Sequence, residues 1–156
     1  GIRVSVIQTT VGETVNGLIP LPTKILITDN CGLILIYTST SKLIVSTLSG
    51  TVVKSVSKFN TILSWFCFVP VSKQIDYIGF VGCKNNGNDQ KFYGYNNYLC
   101  YFEASKPDEV HCLAELPKNC NDFKIHFDKL RNAFIVASCK GEVIVIPMPE
   151  IENGDE

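Results

Sequence analysis

Short apolar runs, punctuated by turn residues, dominate this chain. "KILIT" (24–28), "LILIYT" (33–38), "KLIVST" (42–47) and "TVVKSV" (51–56) follow one another with only a few polar residues between them. "SWFCFV" (64–69), "DYIGFVGC" (76–83), "YLCYFEA" (98–104) and "EVHCLAEL" (109–116) form a second group, and "FKIHFD" (123–128), "NAFIVAS" (132–138) and "EVIVIPM" (142–148) a third. Runs of this length, rich in β-branched and aromatic residues and bounded by Gly, Pro, Asn and Ser, predict strands. "IRVSVI" (2–7) alternates with period two and predicts a further strand at the start. At 109–116, Pro107-Asp108-Glu109 fits a helix start, and Val110, Leu113 and Ala114 sit at helical spacing. Strict alternation and the short length favour a strand there. No long helical stripe occurs, so the pattern predicts an all-β fold.

The first and third groups echo each other. "TKILITDNCGLILIYTSTSKLIVS" (23–46) lies without a gap over "FKIHFDKLRNAFIVASCKGEVIVI" (123–146), 100 residues further on. Lys24 meets Lys124, Ile25 meets Ile125, Ile44 meets Ile144 and Val45 meets Val145. The middle group repeats the order of strand and turn at half that interval. A unit of about 50 residues with four strands is the size of a β-propeller blade. Inner strands such as "LILIY" and "FIVA" are apolar throughout, as strands buried on both faces should be.

Over about residues 23–148 the chain resembles the WD40-like β-propeller family. The resemblance is carried by the apolar strand, polar turn, small-residue strand ending in Ala137-Ser138, Lys140-Gly141 turn and closing apolar strand. The family's Trp-Asp and Gly-His dipeptides are absent, Trp65 being followed by Phe66. The resemblance implies about three four-stranded blades, near 23–57, 62–117 and 122–149, in one segment covering 1–150, with an acidic tail at 151–156. Propellers close with about four to eight blades, so the expectation is an incomplete propeller, completed by another chain or copy. A self-contained β-trefoil and a β-sandwich are the alternative all-β architectures.

Composition changes this picture little. The chain is 46% hydrophobic and 19% charged, enough for a core. A net charge of -1 and a pI near 6.2 give no bulk attraction to nucleic acid or to an anionic membrane. Seven cysteines, an odd number, lie mostly inside apolar runs, where a thiol packs as a small hydrophobe. No signal pattern, Asn-x-Ser/Thr sequon or apolar run of transmembrane length occurs. Together these favour an intracellular location, cytoplasmic or nuclear, and no membrane partner.

Candidate chemistry is sparse. His111, Cys112, Cys120 and His126 are zinc-type ligands close in sequence. No C-x-x-C pair supports them, and neighbouring strand residues point to opposite faces. No metal or cofactor is expected. No G-x-S-x-G, Walker A, G-x-G-x-x-G or H-E-x-x-H pattern occurs, so no enzyme is expected. The best candidate for recognition is "KFYGYNNYLCYF" (91–102), where Tyr93, Tyr95 and Tyr98 lie near Lys84 and Lys91. Tyrosine is common at interface hot spots, and aromatics beside lysines also stack bases. Lys124, Lys129, Arg131 and Lys140 form a second basic group. The expected function is a non-catalytic scaffold that binds protein. A nucleic-acid-binding module is the less favoured alternative.

Overall fold

The computed structural model describes residues 4–9, 17–85 and 95–151. Strands β1 (Pro22–Ile27), β2 (Leu33–Thr38), β3 (Leu43–Thr47) and β4 (Val52–Val56) form a first antiparallel sheet in that order. In the second sheet, β5 (Thr61–Ile62) and β6 (Cys67–Val69) both pair with β7 (Tyr77–Asn85). β8 (Tyr95–Glu103) and β9 (His111–Leu116) follow in order. β10 (Phe123–Asp128), β11 (Ala133–Ser138) and β12 (Val143–Pro147) make a three-stranded third sheet. The protein is all-β, with no helix and no ladder between sheets among the described residues. Among the described residues there is accordingly no closed barrel, which the trefoil alternative requires.

The echo between 23–46 and 123–146 extends to the hydrogen-bond register. Ile25 pairs with Ile36 and Ile125 with Val136; Leu35 pairs with Val45 and Ile135 with Val145. The hairpin turns match as well. Thr38 donates its N–H to the Lys42 carbonyl and accepts the Lys42 N–H on its hydroxyl. Ser138 does the same with Glu142, and Thr47 with Thr51. Each turn is a three-residue loop whose last residue is left-handed: Ser41 at φ 62°, Gly50 at 98° and Gly141 at 83°. Such a loop suits tight antiparallel hairpins, and glycine takes its left-handed position without steric cost. The hydroxyl at the loop's first flank satisfies a backbone donor that the tight turn would leave unpaired.

The second sheet lies between the other two. Ile78, Phe80, Cys100 and Phe102 on one face pack with Leu33, Leu35, Tyr37, Leu43 and Val45 of the first sheet. Tyr77, Val81 and Leu99 on the opposite face pack with Phe123, Phe127, Phe134 and Val136 of the third. The alternation along β7 and β8 assigns odd and even residues to different neighbours. The first interface is aromatic: the rings of Phe59, Phe66, Phe80 and Phe102 meet mostly edge to face, 5.3 to 6.5 Å apart. That is the arrangement ring quadrupoles prefer. The second interface turns on Gly79. A Cβ there would sit 2.5 Å from Cε1 of Phe134, so the absent side chain is what lets that ring seat.

Two predicted strands differ from the structure. Residues 4–7 of the expected opening strand carry no strand pairing, and residues 2 and 3 lie outside the described residues. Alternation alone does not make a strand without a partner ladder. The strand expected at 64–69 is split, because the Ser64 hydroxyl accepts the Val81 N–H where a ladder carbonyl would otherwise do so. The detour turns Phe66 into the aromatic cluster and leaves Trp65 about half exposed. At 109–116 the strand reading holds from His111 onward; Lys106 and Glu109 belong to a turn.

Candidate interaction surfaces

The predicted tyrosine and lysine group is only partly within view. Tyr93 and Lys91 lie outside the described residues. Lys84 pairs with Asn96, and Asn85 with Tyr95, at the end of the β7–β8 ladder. Tyr98 lies opposite Gly82, and its half-buried side chain packs on the first core cluster. Tyr101 faces the other way, stacking on His111 with ring centres 4.9 Å apart. The described tyrosines of this stretch are thus divided between two faces of one strand. The second basic group is partly neutralised: Arg131 reaches Asp128 at 2.6 Å and Lys124 reaches Asp122 at 3.8 Å. The Arg131 hydrogen bond holds the Asp128 carboxyl below its ordinary value.

The four zinc-type residues do not converge. His111 stacks on Tyr101, Cys112 Sγ lies 3.7 Å from Cys100 Sγ, and His126 is exposed on β10. Cys120 is disulfide-linked to Cys139, tying the β9–β10 connection to the β11–β12 turn. The reading of cysteines as small packed hydrophobes holds for Cys100, which is buried, but not for Cys31 and Cys112, which are exposed. Burial pushes the Cys67 thiol up to about 11 and also raises Cys83. Cys31 is raised by burial and by the neighbouring Asp76 carboxylate. A nucleophilic thiol requires the opposite shift.

Asp76 joins the first two sheets. Its two carboxylate oxygens accept the N–H groups of Asn30 and Cys31, each at 2.8 Å, from the β1–β2 loop. Asn30 also donates through its side chain to the Ser72 and Ile75 carbonyls. Burial alone would raise the Asp76 carboxyl, but the hydrogen bonds from Asn30, Cys31 and Thr28 outweigh it and hold it low. A second polar feature marks where the leading strands of the three sheets converge. Lys24 Nζ lies 5.2 Å over the Trp65 ring and donates to the Ser64 carbonyl, with Asp122 and Lys124 beside it. Burial lowers the Lys24 amine, and Lys124 adds to this against the pull of Asp122.

The larger surfaces are apolar and lie at the two ends of the stack. On the outer face of the third sheet, Val143 is 68% exposed and Val145 62%. Ile135 and Ala137 share that face as their cross-strand partners. On the outer side of the first sheet, Ile25 and Ile27 are more than half exposed, as are Leu18, Ile19 and Leu21 just before β1. Ile36 and Ile44, in the middle of that side, are buried, and residues 5 and 6 pass against Gly50 at the β3–β4 turn. The sequence reading did not single out these residues. The repeat gave no signal for Val143 and Val145, since their counterparts 100 positions earlier, Leu43 and Val45, are fully buried.

No protein-family model matches the chain, and neither a curated protein nor a solved structure matches it. No helix among the described residues is long and apolar enough to cross a membrane.

Proposed function

We propose that the chain is a β-propeller segment acting as a non-catalytic scaffold, whose end sheets bind the β-sheet of another chain or copy. The observation that carries this reading is the way the repeated unit is used. The first sheet packs inward through Leu35, Tyr37, Leu43 and Val45. The third packs inward through Ile125, Phe127, Val136 and Ile144, which occupy the opposite face of the same unit. Stacking therefore runs in one direction, as blades do around an axis, and the outer face of the third sheet, where Val143 and Val145 are exposed, is the counterpart of the face that the first sheet buries. Exposed apolar sheet faces mark interaction sites. The raised thiols of Cys31, Cys67 and Cys83 speak against a cysteine nucleophile. The acid-paired Arg131 and Lys124 speak against the basic group as a nucleic-acid surface.

The test is loss of association on charging an end face. Val143→Lys with Val145→Lys should abolish binding of the chain to its protein partner, whether a copy or another chain, while circular dichroism keeps its strand signal. A chain that stays at 17.3 kDa and retains no partner through this face overturns the reading.

A further inference from the structure

We infer that Cys100 and Cys112 are a redox pair, a dithiol that a low-molecular-weight disulfide such as oxidised glutathione closes into a bond between β8 and β9. Their sulfurs lie 3.7 Å apart. A disulfide bond is about 2.05 Å long, so the thiols stand in contact and unbonded, and turning the two side chains closes the gap. The register of the sheet places them there. Leu99 pairs with Ala114 and Cys100 with Cys112, which leaves Leu113 as an extra residue on β9. A bulge of this kind re-aims the side chains beyond it. In an unbroken ladder Cys100 would face Leu113, and Cys112 would face Tyr101 on the other side of the sheet. The bulge brings Cys112 to the side of Cys100. His111 then falls opposite Tyr101, and the two rings stack 4.9 Å apart on the far side. That stack holds the shifted register.

The two thiols differ in access. Cys112 is exposed. Cys100 is 1% exposed and belongs to the first core cluster, with its sulfur 3.7 Å from the Tyr98 carbonyl. A dissolved disulfide therefore meets Cys112 first, and Cys100 acts from behind as the resolving thiol. Cys112 loses its proton to solvent, and its thiolate attacks one sulfur of oxidised glutathione. The glutathione S–S bond breaks, one glutathione thiolate leaves, and a mixed disulfide forms on Cys112. Cys100 then gives up its proton and attacks Cys112 Sγ, and the second glutathione thiolate leaves. The departing thiolates take up the two protons. Two cysteine thiols are oxidised by two electrons, and one oxidised glutathione is reduced to two thiols. Cys31 and Cys67 are directed elsewhere, toward the carbonyls of Gln74 and Phe68. β9 is the outer strand of the second sheet and pairs with β8. The Cys120–Cys139 bridge ties the connection that follows it. Closure adds a tie at its start, so that the strand is held at both ends.

Peptide mapping of the chain after equilibration in mixtures of reduced and oxidised glutathione tests this. Each sample is quenched in acid, alkylated and cleaved after Glu103, which puts the two cysteines on separate peptides. Rising oxidised glutathione should join those two peptides and make the pair lighter by two hydrogen atoms, and reduced glutathione should part them again. Cys100→Ser should stop at the mixed disulfide, with one glutathionyl group retained on Cys112. Cys112→Ser should leave Cys100 unmodified in the folded chain, since its sulfur is shielded. An unaltered chain in which both thiols still alkylate in excess oxidised glutathione overturns the inference. So does one that stops at the mixed disulfide, or one that joins Cys112 to Cys31. Glutathionylation of Cys100 in the folded Cys112→Ser chain overturns the assignment of Cys112 as the entry thiol.

Discussion

The first and third sheets are one sequence unit with opposite faces buried. Val45 and Val145 hold the same place in the same register, yet Val45 is fully buried and Val145 is 62% exposed. Ile27 and Phe127 reverse the pattern, at 57% and 7% exposed. Strand, register and turn are the same in both sheets. What differs is the side on which the second sheet lies. Burial of these valines and of the Ile27/Phe127 pair is therefore decided by which side has a neighbour. The units also differ in residue choice: the third sheet places Phe127 and Phe134, which it buries, where the first has Ile27 and Ile34, and places His126 and Ala137 on its outer face where the first buries Tyr37 and packs Leu26 on its core.

The comparison is broken most directly by crossed truncations. Phe127→Ala should cost about 3–5 kcal/mol and Leu43→Ala about 2–5 kcal/mol, from lost burial and the cavities left behind. Their counterparts Ile27→Ala and Val143→Ala should each stay within about 0.5 kcal/mol in the monomer. Urea unfolding of the four variants measures this, and equal losses at both members of a pair would end the distinction. Gly79→Ala should cost about 1–3 kcal/mol, since the added methyl meets the Phe134 ring. Pairing it with Phe134→Leu should return part of that loss, which a double-mutant cycle reads.

The Asp76 clamp separates the two interfaces by pH. Asp76→Ala should cost about 1.5–3 kcal/mol at neutral pH, the worth of hydrogen bonds to a charged acceptor. Because the folded carboxyl lies below its unfolded value near 3.8, its contribution is present above that value. It is lost as pH falls through the lower folded value. The unaltered chain should therefore shed stability in acid that the Asp76→Ala chain has already lost. Parallel acid titrations of the two by circular dichroism would show no clamp. The smallest effect belongs to the turns. Gly141→Ala meets no atom within 4 Å, so its cost of about 1 kcal/mol is conformational alone. Ser41 already stands in that conformation in the first sheet, held by the Tyr37 hydroxyl.

Much of the fold was legible in the sequence, and for a physical reason. Strands announce themselves by apolar runs, and hairpin turns by the Gly or Ser that must be left-handed. Both survive in "SCKGE" and "TSTSK". Residues 4–7 were misread as strand because alternation does not reveal whether a ladder is available. The break at Leu63–Phe66 was hidden because it depends on a single hydroxyl reaching Val81 across the sheet. The candidate site was far less legible. Tyr98 looked like surface because it neighbours a polar loop, but its place in β8 turns it toward the first sheet. Val143 and Val145 looked like core because nothing in an apolar residue records which side has a neighbour. The Cys120–Cys139 bridge needs the β10–β11 register to be foreseen, and a spacing of 19 does not supply it.

The placement of the second sheet has a consequence for how the molecule comes apart. It contributes both of its faces to apolar clusters, while each outer sheet contributes one. Stability in such an array is a sum over units and nearest-neighbour couplings, much as in a short chain of spins. The terminal unit with fewest strands and one coupling should melt first, and here that is the third sheet. Amide exchange should run fastest in β10 to β12 and slowest in β7 and β8. Any partner that seats on Val145 would then act as a splint as well as a ligand, raising protection in strands it does not touch.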